Sequence, residues 1–262
     1  MSSKARTAES ELLVESAGPV TRVVLNRPEY RNALTFAMYE GLAAACSAPP
    51  DGCRAMIITG AGDRAFAAGT DVRQFLGFEK DGDYIAYEQE IDRVLDAIET
   101  CPVPTIAAMA GACTGGGGMI AAVCDLRIAA ADFRFGFPIA RTLGNTLSSR
   151  SLARLEALVG APRVRELIFT SRLIGSEEAR QIGLVSEVLD DHAALMERAG
   201  ALAELVAAQA PLTLRATKTL QHRLLAGNTD DEDMVLMCYR SRDFRRGLEA
   251  FLGKRKPDWR GE

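Results

Sequence analysis

The chain has 262 residues, 48% of them apolar and 25% charged, with a formal net charge of −4. That length fills one large or two small domains with a full core. The apolar and charged shares exclude a disordered chain, and the acidic balance excludes a general nucleic-acid binder.

ELLVESAG and VTRVVLN read as two strands joined by a turn at Gly18-Pro19. TFAMYEGLAAACSA reads as a helix capped by Thr35, whose hydroxyl can accept from a first-turn amide. RAMIITG is a short buried strand, and GDRAFAAGTDVRQF a polar loop that closes into a helical turn at Asp71. Residues 83–100 predict a helix, because Ile85, Ile91, Leu95 and Ile98 recur near helical spacing. TIAAMAG is the next strand; four glycines and a short helix follow, then DLRIAAA and FRFGFP as strands. Helices are expected over 149–159, 162–170, 176–182, 192–208, 211–226 and 230–247, with a short strand at LVSEVL. The strand–strand–helix order recurs in the first half. The chain turns wholly helical after about residue 190, which divides it into a 1–190 unit and a 191–262 unit.

MSSKARTAESELLVES holds no apolar run of signal-peptide length, so a cytoplasmic location is expected. Cys46, Cys53, Cys101, Cys113, Cys124 and Cys238 show no C-x-x-C spacing and read as reduced thiols. With His192 and His222 the only histidines, no metal site is expected. The stretch from Pro102 to Cys124 is uncharged and has the length of a membrane span. Its alanines, its prolines at 102 and 104 and its adjacent glycines break a single spanning helix, so no membrane association is expected.

Those glycines, Gly115 to Gly118, need a reason, since glycine in a helix interior costs about 0.5–1 kcal/mol relative to alanine. Three readings are open. The first is close packing of a helix on a strand. The second is a dinucleotide fingerprint, because Gly116, Gly118 and Ala121 fit G-x-G-x-x-A, with Asp132 near the end of the next strand. Too few residues separate Gly118 from DLRIAAA for the crossover helix that a dinucleotide site requires. The third is an oxyanion site, in which unpaired amides of a helix N-terminus receive a ligand oxygen. A second amide would come from AFAAGTD, where Gly69 and Thr70 lead into another helical turn that the Asp71 carboxylate can cap.

AFAAGTDVRQF followed by PTIAAMAGACTGGGGMIAAVCDLRIAAADFRFGFP resembles the crotonase superfamily, the enoyl-CoA hydratase and isomerase family. VVLNRPEYRNALT looks like its N-terminal strand and CoA-contacting turn, SEEARQIGLVSEV like its later helix–strand element, and FLGKRKPDWRG like its C-terminal tail. The resemblance implies an α/β fold, a crotonase-like spiral of β-β-α repeats with a C-terminal helical trimerisation region. It implies an acyl-CoA thioester substrate, with coenzyme A as part of that substrate and no separate cofactor. It further implies a homo-oligomer, a trimer or a dimer of trimers. The family's oxyanion donors fall on the backbone N–H groups of Thr70 and Gly116. Ala68, Asp71, Gly115 and Gly117 flank them, and Arg31 and Ala33 lie in the CoA turn. Lys254 or Lys256, like Arg31, would meet the CoA phosphates.

The same resemblance places the two glutamates of family hydratases at Met119 and Ile139, neither of which transfers protons. Substitutes are sought among Glu88, Glu90 and Asp92 on the 83–100 helix, whose simpler role is a solvated face. Tyr84 and Tyr87 read as packing residues. Arg141 either binds a carboxylate on the acyl group or forms a surface salt bridge. Cys113 reads as a small buried residue, and His192 and His222 as structural or exposed. Three functions follow: an acyl-CoA enzyme with chemistry other than simple hydration, a non-catalytic acyl-CoA-binding homologue, or a scaffold without a ligand.

Overall fold

The computed structural model describes residues 10–262. The first nine residues, part of the segment read above for a leader, lie outside the described residues. A hairpin comes first, β1 (Leu12–Ala17) and β2 (Val20–Leu25), turned at Gly18. A 3-10 turn over Pro28–Tyr30 leads to α1 (Phe36–Ser47), whose N-cap Thr35 accepts from the Met38 N–H at 3.2 Å. Next come β3 (Ala55–Gly60), β4 (Ala65–Ala67), a 3-10 turn over Val72–Gly77 and α2 (Asp81–Glu99). β5 (Thr105–Met109), β6 (Ala112–Thr114) and α3 (Gly116–Val123) repeat that order, as do β7 (Leu126–Ala130), β8 (Arg134–Gly136) and α4 (Ile139–Thr142). The rest runs α5 (Ser149–Val159), α6 (Ala161–Thr170), β9 (Ile174–Gly175), α7 (Ser176–Gln181) and β10 (Glu187–Leu189). It ends in α8 (His192–Ala207), α9 (Pro211–Leu225), α10 (Glu232–Tyr239) and α11 (Arg242–Leu252).

From β3 to β8 successive strands alternate between two sheets. One has the order β1-β2-β3-β5-β7-β10, parallel except for the β1–β2 hairpin. The other has the order β4-β6-β8-β9, with β4, β6 and β8 parallel. Each repeat thus lays one strand in the large sheet, the next in the small sheet, and then a helical segment. This is the β-β-α spiral expected from the resemblance.

Period-two alternation partitions the core. Met56 and Ile58 of β3 face the space between the sheets, with Phe66, Phe133 and Phe135, and α1 adds Met38 and Leu42. Ile57, Ile106 and Ile128 face the opposite way, onto Leu195, Ala199 and Ala203 of α8. With both faces covered, β3 and β5 are buried at every position, as parallel strands require. The small side chains of α8 let that helix lie close on the sheet, so the first helix after residue 190 shares a core with the strands before it.

Three details depart from the sequence reading. The helix expected over 230–247 is two, α10 and α11, because Ser241 is extended and its hydroxyl caps α11 through the Phe244 N–H at 2.9 Å. β4 lies inside the segment read as a polar loop, and β6 and β9 were not anticipated. These strands have two or three residues and little β-branched content, so only pairing with neighbours defines them. Among the described residues no helix is long and apolar enough to cross a membrane.

Candidate active site

β4 and β6 pair in parallel, so their carboxyl ends lie side by side. Each runs into a loop that opens a helical turn. After β4, Asp71 caps the 3-10 turn, its carboxylate accepting from the Arg73 N–H at 3.2 Å. After β6, Gly115 with φ 53 forms the N-cap of α3.

The two loops touch. A Cβ on Gly116 would stand 2.0 Å from the Tyr39 hydroxyl and 3.2 Å from Thr70 Oγ1. One on Gly117 would stand 2.4 Å from the Ala67 carbonyl oxygen. Gly116 and Gly117 therefore meet the first of the three readings, since neighbouring backbone and a buried phenol leave no room for a side chain.

The amides meet the third as well. Gly116 is the first residue of α3, where an N–H has no partner within the helix. Thr70 forms a parallel bridge with Leu34, in which Leu34 N donates to Gly69 O and Asp71 N to Leu34 O, both at 2.8 Å. That register turns the Thr70 N–H away from Leu34. Among the described residues neither amide has a hydrogen-bond acceptor. Thr70 and Gly116 both line one cavity of about 250 Å³, with Ala68, Gly115, Met119 and Ile139 also in its wall.

A chain of hydroxyls backs this wall. Thr70 Oγ1 lies 2.9 Å from the Tyr39 hydroxyl and 2.9 Å from the Tyr87 hydroxyl. Burial raises the Tyr39 phenol well above its ordinary value and pushes Tyr87 up to about 12, so both are neutral at physiological pH. Tyr87 and Glu88 line the cavity from α2.

The family model of enoyl-CoA hydratase/isomerase matches residues 15–262. The chain belongs to this enoyl-CoA hydratase/isomerase family. A crotonyl-CoA hydratase from Syntrophomonas wolfei is 31% identical, across 96% of this chain and 98% of that protein. A short-chain-enoyl-CoA hydratase from Clostridium acetobutylicum is 30% identical, across 94% of this chain and 96% of its own. Among solved structures, an enoyl-CoA hydratase/carnithine racemase from Magnetospirillum magneticum superposes with a TM-score of 0.88 at 33% identity, covering 97% of each chain.

Several residues expected at this family's site stand elsewhere. Asp71 and Gly117 do not line the cavity. Asp71 is buried between Arg73 at 2.6 Å and Arg27 at 3.1 Å. The hydrogen bonds from Arg73 hold its carboxyl far below the usual range, so it is an ion-paired cap. Arg141 lies exposed on α4, outside the cavity wall. Arg31 is exposed with φ 52, and its carbonyl accepts from the Ala68 N–H at 3.0 Å. Ala33 O accepts from Arg27 at 2.6 Å. Lys254 and Lys256 are exposed beyond α11 and do not line the cavity.

Cys113 is buried with its thiol pushed up by desolvation, as expected of an inert packing residue. His192 starts α8 and His222 lies on α9, both outside the cavity. Tyr39 was missed. In TFAMYEG it sits on the apolar face of α1, and nothing local marks its hydroxyl for use.

Proposed function

We propose that the protein is an acyl-CoA thioester enzyme whose Thr70 and Gly116 amides receive the thioester oxygen. One observation carries the reading: Thr70 and Gly116, from adjacent loops, line the same cavity, and among the described residues neither amide has an acceptor. As a bond at the acyl chain's Cα breaks, electron density moves to that oxygen, and fixed N–H dipoles stabilise it without reorganisation. The neutral Tyr39–Thr70–Tyr87 hydroxyls hold the Thr70 side chain away from the bound carbonyl. Names of the relatives, crotonyl-CoA hydratase and enoyl-CoA hydratase, agree with a thioester of this kind.

Simple hydration does not fit the wall. Met119 and Ile139, which the family resemblance aligns with the hydratase glutamates, line the cavity as apolar side chains. General acid and base groups contribute about 10²–10⁴-fold each. Crotonyl-CoA hydration, followed by loss of enoyl absorbance, is therefore expected to run at least ~10²-fold below a family hydratase carrying both glutamates. Turnover at hydratase-like rates would show this inference wrong.

The substrate reading is tested by calorimetry with a non-hydrolysable thioether analogue of an acyl-CoA. Saturable binding is expected, and none would leave only a scaffold. A panel of acyl-CoAs analysed by mass spectrometry then separates an enzyme from a non-catalytic binder. Phe251 and Leu252 of α11 are 81% and 74% exposed, which supports assembly into a trimer or dimer of trimers through the C-terminal helices. Lys254 and Lys256 follow that surface, where they could meet the CoA phosphates of a neighbouring subunit's site. The six unpaired cysteines accord with a reducing, cytoplasmic location.

A further inference from the structure

Removing two glutamates from a proton-transfer site leaves the question of what moves the proton. Among the described residues the cavity wall holds one carboxylate, Glu88, and no lysine, arginine or histidine. The other acidic side chains of α2 near it are committed. Glu90 accepts from Arg93 at 2.8 Å. Asp92, Asp96 and Glu99 all pair with the buried Arg154, at 2.9, 2.6 and 2.9 Å. Asp83 accepts from the amides of Glu79 and Lys80 at the start of the helix. Glu88 alone points into the cavity, half-buried, with no cation in ion-pair reach among the described residues, and Met119, Ile139 and Ile91 form apolar wall around it.

We propose that Glu88 is the acid–base group of this site, taking a proton from Cα of a bound acyl-CoA and giving it back. The proposal rests on the acyl-CoA reading above. In the forward step the Cα–H bond breaks and its proton bonds to a Glu88 carboxylate oxygen. The electron pair moves through the Cα–C bond onto the thioester oxygen, giving an enolate held by the Thr70 and Gly116 amides. Return of the proton to Cα restores the substrate. With a β,γ-unsaturated acyl chain, delivery to Cγ instead moves the double bond to the α,β position. No other reactant is consumed in either case.

The surroundings set Glu88 up for this. Burial raises its carboxyl above the ordinary glutamate value, and the Asp92 charge, one turn along α2, adds to the rise, while a backbone hydrogen bond from Ser148 opposes it. The Tyr87 phenol beside it and the Tyr39 phenol of α1 are both neutral. On the α5 side, Arg154 is taken up by Asp92, Asp96 and Glu99. A carboxyl raised in this way is a stronger base toward a carbon acid than a solvated one. It acts in its deprotonated form, so the rate climbs with pH through the raised value and then levels.

The test uses butyryl-CoA in D2O, with deuterium at Cα read by mass spectrometry and affinity read by calorimetry on the same samples. The wild type is expected to exchange Cα hydrogen. Glu88→Gln is expected to exchange at least ~10²-fold more slowly while binding butyryl-CoA normally. Glu88→Asp should retain exchange with its pH limb displaced, and Glu90→Gln should match the wild type. Equal exchange in Glu88→Gln overturns the proposal, as does a wild type that binds without exchanging. Loss of binding together with exchange in Glu88→Gln also overturns it, because Glu88 would then be a binding residue. A wild type that does not bind butyryl-CoA refutes the acyl-CoA reading itself, an outcome separate from the others.

Discussion

Deleting the Gly116 N–H is expected to lower turnover by about 10²–10³-fold, or ~2.7–4 kcal/mol of barrier, the cost of losing one donor to an oxyanion. A plain Gly116→Pro exchange would mix two effects. Any Cβ at this position meets the Tyr39 hydroxyl at 2.0 Å. Tyr39→Phe removes that oxygen and leaves the ring Cζ at 3.3 Å, a tight contact that small shifts relieve. Within the Tyr39→Phe background, Gly116→Ala and Gly116→Pro then carry the same added Cβ, and only proline lacks the amide. Proline also suits the site backbone, because Gly116 is the first helical residue, where its fixed φ is accepted. The comparison is made on whichever acyl-CoA the mass-spectrometric panel shows to be consumed. Tyr39→Phe/Gly116→Ala should keep most of the Tyr39→Phe rate, and Tyr39→Phe/Gly116→Pro should lose it. Equal rates in the two double variants would mean that this amide does not touch the reacting oxygen.

Much of this site was legible because its determinants are local. Thr35 and Asp71 announce their turns by residue type, and both cap as expected. The uncharged strand and glycine run around Gly115 to Gly118 could form little other than a buried strand, a turn and a helix, whereas the choice of the Thr70 and Gly116 amides came from the family resemblance and not from that order. What escaped notice depends on pairs distant in sequence. Tyr39 and Tyr87 lie 31 and 17 residues from Thr70, and only the packing of α1 and α2 brings their hydroxyls together there. Glu88, Glu90 and Asp92 look equivalent in YEQEID. They differ in what lies within their reach: cavity for the first, Arg93 one turn along α2 for the second, Arg154 of α5 for the third. Arg141 stands exposed and outside the cavity wall, a placement its position after the FGFP turn does not reveal, because that position says nothing about which way α4 presents it.

Asp71→Ala is expected to destabilise the fold by about 3 kcal/mol, near the lower end of what breaking a buried ion pair costs. Three functions end with that carboxylate. It caps the Val72–Gly77 turn, pairs with Arg73 and neutralises Arg27, whose side chain is only 8% exposed. Arg27 would keep Glu11 at 3.0 Å and the Ala33 carbonyl at 2.6 Å, so its charge is not wholly abandoned, which sets the cost at the lower end. Urea midpoints measured against pH give the sign. Hydrogen bonds from Arg73, then Arg27, hold the Asp71 carboxyl below its unfolded value of about 3.9. Its contribution is therefore complete above that unfolded value and disappears as pH falls through the lower, folded one. The gap between wild type and Asp71→Ala should stay constant from about pH 8 to pH 5 and close only in stronger acid. Turnover should fall as well at neutral pH. The Asp71 N–H bond to Leu34 O and the capped turn are what fix the neighbouring Thr70 amide toward the cavity. Asp71→Asn keeps a capping oxygen and loses the charge, so it should lose stability while retaining more of the turnover. If Asp71→Ala unfolds more easily yet turns over acyl-CoA at the wild-type rate, the Thr70 amide is held by the Leu34 bridge alone and the cap serves only stability.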